Sequence, residues 1–287
     1  SVMMDNKTNT VKKLTKGISS LFIKNNIDHL IGEAKIVGKN SIEVNNNLIS
    51  SKNILIATGS EPIEIPNVRI DEKNIVTSTG ALNFDKVPKS LAVIGGGYIG
   101  LELGSVWKRL GAEVTVIEFS DSIVPTMDKE TIQIFYNTLK KQGINFMFNS
   151  KVIEAKKIEN KISVVCKDMK LNENKKLLFD KVLVAIGRKP YVSGLGIEGI
   201  NMNRSASGAI IVDSNFQTSI KGIFAIGDVI EGPMLAHKAS IEGQIFAEKL
   251  AGLNPEINYG CIPAVVYTDP EVAWVGPTEQ ELINRNV

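Results

Sequence analysis

At 287 residues the chain has room for one large domain or two ordinary ones, with a substantial buried core. Lys and Arg total 33 against 31 Asp and Glu, a balance that points to no nucleic-acid footprint and no membrane-surface patch. Its apolar runs fall short of a membrane span and its first residues show no signal-peptide hydrophobic region. The two cysteines, Cys166 and Cys261, form no disulfide framework, which fits a reducing compartment.

Val11, Leu14, Ile18, Leu21 and Phe22 recur at helical spacing and predict an amphipathic helix over residues 10–25. Short β segments follow at 27–37 and at 41–44, the second turning at Asn45–Asn47 into Leu48–Ile49. Residues 53–57 read as a buried strand ending at Thr58-Gly59-Ser60, and Pro62 and Pro66 mark a crossing into a new domain. Leu91–Ile94 is another buried-strand pattern. A glycine turn, a helix and a second strand ending at Glu118 come after it. Asp128 is the expected N-cap of a helix over 128–142, with Ile132, Tyr136 and Leu139 as its apolar stripe and Gly143 as its end. A strand at 144–152 and a meander at about 153–169 and 177–186 follow, with Lys175–Lys176 at a solvated hairpin tip. Finally Asp228 ends a strand, and residues 232–237 lead into a helix with Ile241, Ile245 and Leu250 inward and Gly252 as its stop.

Gly95, Gly97 and Gly100 fill G-x-G-x-x-G, with Gly96 as an extra glycine inside it. The first permits a tight turn, the second lets backbone approach a pyrophosphate, and the third lets the helix pack close to the sheet. A glycine-rich turn in an ordinary loop is the plain alternative. The flanking strands, the helix and Glu118 at the expected distance favour a dinucleotide site. A carboxylate at Glu118 would accept from ribose hydroxyls and repel a 2′-phosphate, by roughly 4 kcal/mol at about 4 Å and an effective dielectric near 20. Phe119 and Ser120 follow it in place of an arginine. NAD is therefore expected over NADP.

ILIATGS (54–60), VLVAIGR (182–188) and IFAIGD (223–228) are each an apolar strand ending in A-[T/I]-G. Gly187 closes the domain that opened at Gly95, and counting the same distance back from Gly59 passes residue 1. The repetition predicts a duplicated nucleotide fold whose first glycine turn would precede this chain. At Asp228 the spacing alone leaves two readings. The carboxylate could hold ribityl or ribose hydroxyls while the next helix start holds a ring oxygen, or Asp228 could cap a loop with His237 as an ordinary helix-start residue.

GGGYIGLELGSVWKRLGAEVTVIE, TSTGALNFDKVPKSLAVIG, AIGDVIEGPMLAHKASIEG and PAVVYTDPEVAWVG together resemble the dihydrolipoamide dehydrogenases of the pyridine nucleotide-disulfide oxidoreductase family. AWVG and MLAHKA favour this group over its relatives. The resemblance implies an α/β fold of two Rossmann-like, glutathione-reductase-type domains, the NAD domain inserted in an incomplete FAD domain. The implied limits are 1–61 and 189–261 for the FAD domain, 62–188 for the NAD domain and 262–287 for the start of a dimerisation domain, in a fragment lacking both termini. It implies NAD contacts at Gly95, Gly96, Gly97, Tyr98, Ile99, Gly100, Leu101, Glu102, Glu118, Val152 and Gly187. It implies FAD contacts at Ala34, Thr58, Gly59, Ser60, Asp228, Met234, Leu235, Ala236 and His237, with Ala34 standing where glycine is frequent. Glu102 would steady the nicotinamide carboxamide, and Tyr98 would cover the flavin until nicotinamide enters.

The implied activity passes electrons from protein-bound dihydrolipoamide to a redox disulfide, then FAD, then NAD. Its implied partners are lipoyl domains of 2-oxo acid dehydrogenase complexes and a second copy of the chain, with neither nucleic acid nor membrane involved. The implied location is the bacterial cytoplasm or a mitochondrial matrix. The family's C-x-x-x-x-C pair and its late His-Glu pair find no match here. The partner position for Cys261 is Glu256, and His29 and His237 are isolated, so no catalytic residue and no metal ligand is assigned. Mercuric reductase, soluble transhydrogenase and NADH peroxidase share both nucleotide sites and remain alternatives, as does a non-catalytic NAD-binding module.

Overall fold

A computed structural model describes residues 1–287, which form two compact units: residues 1–60 with 189–255, and residues 61–188 with 256–287. The first unit opens with helix α1 (Val2–Lys24), which starts well before the predicted residue 10. After Val2, Met3 and Met4 its first turns are polar and carry no apolar period, so the pattern could not announce them. Ser1 caps the helix through its hydroxyl. None of its residues is buried, and Val11, Leu14, Ile18 and Leu21 all lie on its exposed surface.

Strands β1 (Ala34–Gly38), β2 (Ser41–Val44) and β3 (Asn47–Ser50) form an antiparallel meander. Of the β segment expected at 27–37, only its end is strand; Ile27, Leu30 and Ile31 are exposed and have no neighbouring strand to supply a ladder. Asn45 and Asn46 turn the β2–β3 hairpin with φ of 50° and 64°, the left-handed geometry a two-residue hairpin demands and asparagine tolerates. Strand β4 (Ile54–Ile56) follows with both its ends buried.

Strand β5 (Ser60–Pro62) leads into the second unit. There the chain runs β6 (Ile75–Val76), α2 (Ser78–Ala81), β7 (Ser90–Ile94), α3 (Tyr98–Arg109), β8 (Glu113–Ile117), α4 (Lys129–Lys141) and β9 (Asn145–Met147). It continues with β10 (Ser150–Ile158), β11 (Lys161–Asp168), β12 (Glu173–Phe179) and β13 (Lys181–Val184). The parallel sheet has the order β6-β13-β7-β8-β9. Its strands are covered on both faces, which is why they read as continuous apolar runs. Leu91 and Val93 of β7 face a core with Leu101, Trp107, Phe135 and Leu139 of the helices. Ala92 and Ile94 face Val152, Val164 and Cys166 of the antiparallel sheet β10-β11-β12.

Asp128 caps α4, its carboxylate accepting from the Glu130 amide. The strand expected at 144–152 is two strands in different sheets, broken at Asn149, whose φ of 51° turns the chain. Lys175 and Lys176 lie within β12 rather than at a tip. β12 is an edge strand on which lysines are a common guard, and Lys175 pairs there with Asp168 at 3.2 Å.

Asp180, between β12 and β13, accepts from the Ser90 amide at 2.8 Å and pairs with Lys161 at 2.8 Å. Partial burial alone would raise its pKa, but these bonds outweigh it and hold the carboxyl below its ordinary 3.8. Because the folded value is depressed, the stabilisation is complete above the unfolded pKa and fades as pH falls through the folded one. Asp180→Asn is expected to be less stable than the parent at pH 7 and to converge with it as pH drops below 3.8, measured by urea denaturation across that range.

After β14 (Arg188–Pro190) the chain rejoins the first unit, where β15 (Ile223–Ala225) pairs in parallel with β4, Ile223 opposite Ile54 and Ala225 opposite Ile56. Helix α5 (Ala236–Leu250) follows and the chain turns at Gly252, φ 89°. Its inward face differs from expectation. Ile245 is buried as predicted, but Ile241 and Leu250 are exposed, and Lys238, Glu242 and Phe246 complete the buried stripe. An apolar count cannot assign two charged residues inward, because what permits their burial is each other. The last segment joins the second unit as the hairpin β16 (Ala264–Val266) and β17 (Val272–Trp274), then α6 (Glu279–Asn284). Val266 enters the helix-side core. No helix is long and apolar enough to cross a membrane.

Candidate nucleotide-binding sites

β7 lies between β8 and β13, so the order of connection reverses at the carboxyl end of β7, where open α/β sheets take their ligands. Gly95 stands at that point with φ 107°. A Cβ on it would strike the carbonyl oxygen of Ala185, and a Cβ on Gly100 would strike that of Gly95. The Ala185-Ile186-Gly187 ending thus packs directly against the glycine turn. Gly97 has open space where its Cβ would be. Helix α3 begins at Tyr98 with Gly97 as N-cap and no side-chain cap, so its first amides and dipole form an anion-receiving end. Leu101 is fully buried and Ile99 half-buried, which seats the helix.

Glu118, at the tip of β8, accepts from the Gly96 amide at 2.6 Å and from the Ser120 amide at 2.7 Å, one on each oxygen. The extra glycine has a use: a Cβ at Gly96 would lie 3.2 Å from both Glu118 Oε2 and Ile123 Cγ2. Each carboxylate oxygen keeps a further acceptor site. Glu118, Gly95 and Val152 line one cleft of about 450 Å³ together with Ile65, Phe119 and Ile186. Sequence reasoning assigns none of the last three to the site: Ile186 lies inside the A-I-G ending and Phe119 beside Glu118, but nothing local shows that they and Ile65 share a cleft. Gly187, φ 126°, adjoins Ile186, and its carbonyl accepts from the Ile63 amide.

Tyr98 and Glu102 engage the last segment. The Tyr98 ring lies 5.6 Å from that of Trp274 and its hydroxyl bonds Thr126. Glu102 accepts from the Tyr267 amide at 2.9 Å.

In the first unit the other two A-x-G endings lie side by side at the end of the β4–β15 pair. Ser60 donates its hydroxyl to Asp228 at 2.6 Å. Thr58 donates to the Tyr191 carbonyl at 2.7 Å, and the Tyr191 amide donates to the Gly59 carbonyl at 2.9 Å. α5 begins without a side-chain cap; Met234 and Leu235 are half-buried before it, and Ala236 and His237 are exposed at its start. Ala34 stands outside this hydrogen-bonded cluster, exposed at the start of β1 opposite Val44. Cys166 and Cys261 are free thiols. Burial pushes the Cys166 thiol up, and its sulfur sits 3.7 Å from the Lys175 carbonyl in the core strand β11.

Residues 2–243 match the family model of the pyridine nucleotide-disulphide oxidoreductases. The chain belongs to this family. Among curated relatives it is 47% identical over 291 residues to the mitochondrial dihydrolipoyl dehydrogenase of Caenorhabditis elegans, covering 99% of this chain and 59% of that one. It is 47% identical over 292 residues to the mitochondrial dihydrolipoyl dehydrogenase of Homo sapiens, covering 99% and 57%. The chain thus spans somewhat more than half the length of the curated relatives it matches. Among solved structures, the HOCl-induced flavoprotein disulfide reductase RclA from Escherichia coli superposes with a TM-score of 0.89 at 28% identity, over 98% of this chain and 64% of that one. The family match and this likeness establish the α/β flavoprotein-reductase architecture expected from the sequence.

Proposed function

We propose that the protein is an NAD-dependent dihydrolipoyl dehydrogenase, a flavoprotein that oxidises protein-bound dihydrolipoamide. The observation that carries this reading is the glycine turn with Glu118: two glycines whose Cβ positions are filled by backbone, an uncapped helix start, and a carboxylate held at the strand tip. That donor and acceptor set fits a dinucleotide with a free ribose 2′-hydroxyl. The Thr58–Ser60 turn with Asp228 and the uncapped start of α5 fit the ribityl chain and ring of FAD. When bound, flavin and nicotinamide supply the electron and hydride chemistry. The protein's own residues bind and orient them: Gly95 to Gly100 and Glu118 for NAD, with Leu101, Val152 and Gly187 shaping that site. Thr58, Gly59, Ser60, Asp228 and Met234 to His237 serve FAD, with Ala34 at its edge. Tyr98 and Glu102 are assigned to the nicotinamide end.

The relatives' names support this substrate over mercuric reductase or transhydrogenase chemistry. They also support a mitochondrial location over the cytoplasm; lipoyl domains of 2-oxo acid dehydrogenase complexes are the partners proposed from the sequence resemblance. The family domain plan of FAD, NAD, FAD and dimerisation segments, with pairing of two copies, completes the proposal. Calorimetric titration is expected to show NADH binding well ahead of NADPH, and lipoamide-dependent NAD reduction is expected of the full-length protein. NADPH bound as well as NADH would sink the proposal.

A further inference from the structure

Lys238 and Glu242 lie one turn apart on α5, are both wholly buried, and pair at 3.1 Å. Two charges withdrawn completely from water are costly, and such a pair adds little stability over apolar residues of the same shape. Their remaining bonds say what they hold. Lys238 Nζ donates to the Gly227 carbonyl at 3.1 Å, and Glu242 Oε2 accepts from the Gly227 amide at 2.7 Å. One residue's backbone is therefore gripped at both polar groups by a single ion pair. Gly227 is held at φ 77°, where the chain turns out of β15, and Asp228 follows it. Asp228 in turn receives the Ser60 hydroxyl.

We infer that Lys238 and Glu242 are positioning residues: they lock the Gly227 turn so that the Asp228 carboxylate is presented in a fixed direction to a vicinal diol of the flavin nucleotide. This rests on the FAD reading of Asp228. Neither residue touches the ligand. The pair acts through the backbone, removing the freedom that a glycine in a turn would otherwise retain.

The test replaces the pair by an apolar one, Lys238→Met with Glu242→Leu, and by a half-clamp, Lys238→Met with Glu242→Gln, which retains an acceptor for the Gly227 amide. FAD affinity is read by flavin fluorescence, and melting temperature is read alongside. Tenfold or greater weakening is expected for the apolar pair and a smaller loss for the half-clamp, with melting temperatures near the parent. An apolar pair that folds and binds FAD like the parent overturns the inference. Should that variant fail to fold, hydrogen exchange on the unaltered protein decides. A Gly227 amide as protected as those of β15 supports the clamp, and one that exchanges freely overturns it. Asp228→Ala is the control for the reading beneath: if it binds FAD undiminished, the diol assignment fails, and the clamp with it as a device for ligand presentation. If only the pair variants bind undiminished, the clamp fails and the diol assignment stands.

Discussion

Glu118→Ser combined with Phe119→Arg is expected to turn the protein from NADH toward NADPH, with the ratio of affinities moving about a thousandfold. Two effects add. Removing the carboxylate abolishes repulsion of roughly 4 kcal/mol against a 2′-phosphate, and the arginine offers it a bidentate, charge-assisted partner. The exchange also costs NADH affinity, because Glu118 is the acceptor for the Gly96 and Ser120 amides and its loss loosens the turn that faces the diphosphate. Dissociation constants for both cofactors, taken by calorimetry on parent and variant, check this. An unchanged preference would show that selection resides elsewhere.

Gly100→Ala is expected to lose about 3 kcal/mol of stability, because the new methyl meets backbone, the Gly95 carbonyl, that cannot swing aside as a side chain could. In a chain of this size that lowers Tm by roughly 6–12 °C. Gly97→Ala makes the opposite case. Its φ of −83° suits any residue and nothing stands near the added carbon, so Tm should stay within about 2 °C of the parent. Its methyl nonetheless points where backbone must approach the diphosphate, and NADH affinity should fall about tenfold or more. Thermal melts and NADH titrations of both variants separate the two roles. A stable Gly100→Ala that binds normally, or a Gly97→Ala that binds like the parent, would contradict the cradle.

The sequence made the second unit legible because local rules and tertiary context agree there. The apolar run at Leu91–Ile94, the glycines after it and the Asp128 cap each state one element, and the structure builds each where stated. Readings failed where a residue's surroundings come from elsewhere in the chain. The 27–33 stretch has strand-like residues but no neighbouring strand. Phe119 and Ile65 meet in one cleft although nothing in either local pattern points to the other. Lys238 and Glu242 look like a solvated helical pair until the Gly227 backbone is seen between them. The A-x-G repetition points to a duplicated fold but says nothing of which strands pair; the structure sets two of its three endings side by side on the parallel strands β4 and β15.

The parallel partners β4 and β15 are separated in sequence by nearly the whole second unit, and this orders how the molecule can assemble. A ladder between such distant strands is slow to close from an open chain. Within the second unit, however, the Ile63 amide meets the Gly187 carbonyl, so once that unit has folded its entry and exit are stapled together. The intervening loop then shrinks by about two doublings, sparing roughly 1 kcal/mol of closure entropy. Residues 61–188 therefore act as an internal tether for their host: with Ile63 and Gly187 joined, far fewer free residues separate β15 from β4.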